Sequence, residues 1–159
     1  MKQKPWLAIF LLLALIGLPG CSGNSQAGTQ APLFTLNDLT GKKISFSDFL
    51  GKPVVINFWQ LSCQPCIDEM PNFQTVYSSS TTAKILTVAI GNSSLTAFMA
   101  DNNYSFPVLL DSDGQVSASY DVRYTPTTFF IDSRGQIVDV KVGPFTSSSD
   151  LEQAIKSLH

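Results

Sequence analysis

Histidine is almost missing from this chain of 159 residues: the single one, His159, is the last residue. That excludes a Ser-His-Asp triad, a Cys-His nucleophile pair and a histidine-rich zinc centre inside the fold. Charge is scarce too, at 14% of residues, with 10 basic against 12 acidic side chains and no cluster of Lys or Arg. A nucleic-acid surface needs a basic footprint to displace counterions, so no nucleic-acid partner is expected. Long apolar runs are also absent. The longest, Trp6 to Leu18, would be about 20 Å as a helix, against a hydrocarbon core of about 30 Å. What the chain does have is 44% apolar and 11% aromatic residues, enough to fill the core of one soluble domain.

The apolar run sits between Lys2 and Lys4 on one side and the small residues Pro19 and Gly20 on the other. A basic start, a short apolar stretch and a small-residue end describe a secretory signal, assigned here to residues 1–20. Leu18-Pro19-Gly20-Cys21 resembles a lipobox, which makes Cys21 the expected lipid attachment point and the membrane an expected partner. An uncleaved signal anchor is the alternative. Removal of the signal takes Lys2 and Lys4 with it, leaving 8 basic against 12 acidic residues and a net charge of −4. Ser22 to Gln30 carries no charge and no large apolar residue, so residues 21–30 read as a lipidated cysteine and a flexible linker. The globular domain is expected over residues 31–159.

The other two cysteines, Cys63 and Cys66, form a C-x-x-C pair. A purely structural disulfide across so short a loop gains only about 2 kcal/mol, compared with about 4.7 kcal/mol for a long loop. Zinc would need two further ligands, and neither another cysteine nor an internal histidine is present, so no metal is expected. Redox chemistry remains. Val54 to Trp59 is a β-branched and aromatic run that reads as a buried strand. From Gln64 to about Tyr77, Ile67, Met70, Phe73, Val76 and Tyr77 recur at helical spacing, with Pro65 suited to the first turn and Pro71 expected to kink the helix. Cys63 therefore falls at a helix N-terminus, where free N–H groups and the positive dipole end stabilise a thiolate.

Further strands are expected at Lys84–Ile90, Pro107–Leu110, Thr127–Asp132 and Gln136–Val142, the last two joined as a hairpin. Helices are expected near Ser94–Asn102, Val116–Tyr120 and Ser148–Leu158, and Phe34–Leu36 with Lys43–Ser45 form a small N-terminal hairpin. Strands alternating with helices describe an α/β domain with a mixed sheet.

Phe58-Trp59, Cys63-Gln64-Pro65-Cys66, Pro71 and Thr125-Pro126-Thr127-Thr128-Phe129 resemble the thioredoxin superfamily in register. Ala31-Pro32 with Phe34, Phe46-Ser47-Asp48-Phe49 and Glu69-Met70-Pro71 resemble more narrowly the membrane-tethered TlpA/ResA-like thiol-disulfide oxidoreductases. The resemblance implies an α/β thioredoxin fold with an N-terminal β-hairpin extension and a cis peptide at Pro126 facing the cysteines. It implies no cofactor beyond a redox-active Cys63–Cys66 disulfide, and substrate contacts by Trp59, Gln64, Pro65, Thr125 and Pro126. Glu69 is implied to be a partly buried carboxylate that moves protons for Cys66. Asn57 stands where thioredoxin has a buried aspartate and is assigned a structural hydrogen bond; Asp68 is assigned to the surface. Ser62 and Gln64 depart from the Trp and the carboxylate common among relatives.

The resemblance implies a lipid-anchored monomer on the extracytoplasmic face of a bacterial envelope. Electrons would come from a membrane thiol-electron transporter and pass to disulfides in exported proteins, apocytochrome c being one family substrate. A disulfide-introducing oxidase is the runner-up, since direction is set by reduction potential. A thiol peroxidase of the peroxiredoxin type would need Thr or Ser where Gln60 stands.

Overall fold

The computed structural model describes residues 26–79, 82–91 and 94–158. The expected signal sequence and the expected lipid site at Cys21 lie outside the described residues. Seven strands make one mixed sheet: β1 (Thr35–Asp38), β2 (Lys43–Ser45), β3 (Val54–Trp59), β4 (Lys84–Ile90), β5 (Val108–Asp111), β6 (Thr127–Ile131) and β7 (Ile137–Val142). Their spatial order is β2-β1-β5-β4-β3-β6-β7. β3 and β4, and β4 and β5, pair in parallel; the other pairs are antiparallel. Among the described residues, four α-helices accompany them: α1 (Gln64–Ser78), α2 (Leu95–Asp101), α3 (Gln115–Ser119) and α4 (Ser148–Lys156).

The near-continuous apolar character of β3, interrupted only at Asn57, follows from burial on both faces, the usual state of a strand inside an α/β sheet. Val54, Ile56 and Phe58 face one core with Phe46, Tyr120 and Phe129. Val55 and Trp59 face the other, shared with Met70 and Phe73 of α1, Leu95 and Met99 of α2, and Leu151 and Ile155 of α4. Strand alternation puts Asn57 on this second face, under α1. It is the one polar residue of a fully buried strand.

The β1–β2 hairpin does not stand apart from the sheet. β1 pairs with β5 through Asn37–Leu110 and Asp38–Leu109, so the extension adds two strands to the sheet edge. The expected linker boundary at residue 31 moves earlier. Gly28 N donates to Ile137 O at 2.7 Å, Ile137 N donates to Thr29 O at 2.9 Å, and Gln30 bridges Gln136. These bonds cover the start of the β7 edge, which composition alone did not reveal.

Pro71 lies within α1, and the helix runs on to Ser78. Its ring removes only the N–H that Ile67 O would have accepted, and packing of Met70, Phe73 and Val76 into the core holds the turns on either side. Observed ends elsewhere differ from expectation by a residue or two, as fraying helix and strand ends do.

Candidate active site

Cys63 follows the loop leaving β3 and is the N-cap residue of α1, with Pro65 in the first turn. Its Sγ lies 3.3 Å from the backbone N of Cys66, whose N–H is shared between the sulfur and the Cys63 carbonyl oxygen at 3.0 Å. The two cysteines are joined as a disulfide with Cα atoms 5.2 Å apart. They are not equivalent: Cys63 is half-buried, whereas Cys66 is fully buried. Only the first sulfur is open to a partner. On its open side, Sγ of Cys63 is 3.5 Å from the carbonyl oxygen of Thr125, and the Thr125–Pro126 peptide is cis.

One helical turn beyond Cys66, Glu69 is buried to 1% exposure. Its Oε1 accepts from Asn57 Nδ2 at 2.9 Å and its Oε2 accepts from the backbone N–H of Phe145 at 2.9 Å. Burial pushes its pKa up from 4.5 to about 7, against the opposing pull of the Phe145 N–H, the Asn57 amide and the Lys141 charge. A carboxyl poised there can take or give a proton near neutral pH.

The turn that supplies the Phe145 N–H is itself braced. Asn72 Nδ2, one turn beyond Glu69 on α1, donates to Phe145 O at 2.9 Å. Lys141 Nζ donates to Pro144 O at 2.9 Å and lies 4.9 Å from the Phe145 ring centre. Sequence reading does not single out Phe145, Asn72 or Lys141. The key donor is a main-chain N–H, which any residue type would supply.

Of the expected substrate contacts, Gln64 and Pro65 are exposed beside Cys63, Thr125 is half-buried and Pro126 is buried at the cis peptide. Gln64 Nε2 donates to Asp68 Oδ1 at 2.8 Å, and Asp68 is on the surface as expected. Trp59 is a correction. It is fully buried, its ring 5.9 Å from that of Phe98, so it supports the site from within and touches no substrate. Its burial agrees with the buried strand expected over Val54–Trp59, and the α1–α2 side of the core covers it. Among the described residues, no group of three or more potential ligands is placed to hold a metal.

A buried-and-exposed cysteine pair capping a helix, set against a cis X-Pro peptide on this sheet, defines a thioredoxin-fold thiol–disulfide centre. The comparisons agree. The AhpC/TSA family profile matches residues 27–140. The thiol-disulfide oxidoreductase ResA of Bacillus subtilis is 42% identical over 125 residues, covering 76% of this chain and 70% of its own. The thioredoxin-like protein YneN of the same organism is 35% identical over 168 residues, covering 96% and 97%. The crystal structure of StoA from Bacillus subtilis superposes with a TM-score of 0.68 at 30% identity, covering 77% of this chain and 96% of that one. The chain belongs to the AhpC/TSA family, on its thioredoxin-like branch of ResA-type thiol-disulfide oxidoreductases. Its activity is thiol–disulfide exchange, and the redox group is its own cysteine pair.

Proposed function

We propose that the protein is an extracytoplasmic protein-disulfide reductase, held to the membrane by a lipid on Cys21, that acts on exported proteins such as apocytochrome c. The asymmetry of the cysteine pair carries the reading: Cys63 is open and faces Thr125, while Cys66 is sealed and followed one turn later by Glu69.

In the reduced protein Cys63 attacks as thiolate, stabilised by the Cys66 N–H and the α1 dipole. One substrate sulfur bonds to Cys63 and the other leaves as thiolate, taking a proton from solvent. The Thr125 backbone, with Gln64 and Pro65, holds the extended substrate chain across the sulfur. Cys66 gives its proton to Glu69 and attacks Cys63, which releases the second substrate thiolate and leaves the Cys63–Cys66 disulfide. Two electrons have passed to the substrate. A membrane thiol-electron transporter restores the dithiol by the same exchange in reverse. No histidine lies between the cysteines, which favours the reducing direction.

The test is the reduction potential of the Cys63/Cys66 couple together with trapping. A potential nearer that of a reductant such as thioredoxin, about −270 mV, than that of the oxidant DsbA, about −120 mV, supports a reductase. Cys66→Ser should accumulate mixed disulfides through Cys63. Trapping through Cys66 alone in Cys63→Ser would reverse the assignment.

A further inference from the structure

The amide of Asn57, at the centre of β3, is engaged on one side only. Nδ2 donates both to Glu69 Oε1 at 2.9 Å and to Thr128 Oγ1 at 3.1 Å. Oδ1 is equally buried, yet has no hydrogen-bond partner. An unpaired buried acceptor is unfavourable, so some interaction must hold the amide in this orientation. Turning it over would bring Oδ1 against the Glu69 carboxylate, lone pair against lone pair. The observed orientation therefore favours the ionised carboxyl, whose two oxygens accept from the Asn57 amide and the Phe145 N–H with no hydrogen of their own to place.

Thr128 supplies the second anchor. It sits opposite Asn57 in the β3–β6 register and is fully buried. Its hydroxyl oxygen occupies the second Nδ2 hydrogen, and Asn57 stands between it and Glu69. With both amide hydrogens committed, the N–H toward Glu69 is fixed in direction. We propose that Thr128 and Asn57 are positioning residues for the thiol–disulfide reaction, Thr128 setting the orientation of the Asn57 amide and the amide keeping Glu69 available as the carboxylate that accepts the Cys66 proton. The proposal rests on the reading of Glu69 given above.

Other groups around Glu69 leave this role to the amide. From the turn after β7, the Phe145 N–H binds the other carboxylate oxygen, and Lys141 on β7 is the charge that acts on Glu69. On α1 itself, Asp68 is turned to solvent and bonded to Gln64, and Cys66 is the group Glu69 serves. On α4, which packs against α1, Asp150 and Lys156 are exposed and Glu152 is half-exposed; none of the three contributes to the Glu69 shift.

Thr128→Val is the decisive variant, since valine keeps the shape and strand preference but cannot accept a hydrogen bond. Carbon-13 NMR of the Glu69 carboxyl, read in the full chain with Cys63 and Cys66 oxidised so that no thiol titrates, gives the midpoint directly. The expected result is a rise of about half a pH unit or more in Thr128→Val, a larger rise in Asn57→Leu, and the parental midpoint in Thr128→Ser. A Thr128→Val midpoint equal to the parent's overturns the proposal, whether or not Asn57→Leu folds. The turnover–pH profile of the same variants separates the two readings. If the carboxyl midpoint moves and the profile stays, the Thr128–Asn57–Glu69 coupling stands and the role of Glu69 toward Cys66 falls.

Discussion

Glu69 and Phe145 are 76 residues apart in the chain, yet the Phe145 backbone N–H donates to the Glu69 carboxylate at 2.9 Å in the core. That bond joins α1, which carries the cysteines, to the turn between β7 and α4. The same turn reaches the cis-proline loop, because Gly143 N donates to Pro126 O at 2.8 Å. The carboxylate and the segment expected to hold substrate therefore share one scaffold.

A buried carboxyl raised to about 7 makes stability depend on pH in a defined direction. Between about pH 4.5 and pH 7 the folded protein holds a proton that the unfolded chain has released, so stability falls as pH rises through this window. The full loss, roughly 3 kcal/mol on the scale of 1.36 kcal/mol per pKa unit, is reached above the folded midpoint. Urea midpoints of the oxidised protein should decline across the window. In Glu69→Gln this part of the decline should disappear.

The tight turn between β6 and β7 depends on Gly135, whose φ of +81° is unfavourable for any side chain. A Cβ there would also lie 2.6 Å from Gln30 Nε2 and 2.9 Å from Leu50 Cδ2. Gly135→Ala should destabilise the fold by about 1–3 kcal/mol, measured by urea unfolding, with the Cys63/Cys66 potential unchanged.

The proposed lipid attachment at Cys21 has a simple readout. Cys21→Ala should lose labelling by a fatty-acid probe and leave the membrane fraction while retaining disulfide reductase activity. Labelling equal to the parent's would place the lipid elsewhere or show that none is attached.

The fold was legible because its strongest signals are local. A β-branched run, a proline-marked helix start and the Ser133-Arg134-Gly135 turn each depend on near neighbours in sequence. The cysteine pair was legible for the same reason, since three residues fix its place on the helix. Docking of residues 28–30 at the start of β7 was not, because it is decided by segments far away in the chain. The surroundings of Glu69 show the division most clearly. Asn57 could be marked as a buried hydrogen-bonding residue, but its partner, twelve positions on, and the Phe145 N–H emerge only from the packing of α1 on the sheet.

The central claim is that Glu69 accepts the Cys66 proton, and the turnover–pH profile of Glu69→Gln against the parent tests it most directly. The substitution keeps size and polarity and removes the ionisable group. The account predicts that the parent's profile carries an inflection near pH 7, set by the Glu69 midpoint of about 7. It predicts that Glu69→Gln loses this inflection and turns over about 10²-fold more slowly or worse, in the range usual for loss of a general base. A Glu69→Gln profile superimposable on the parent's, in a protein that is folded and able to form the Cys63–Cys66 disulfide, would contradict it.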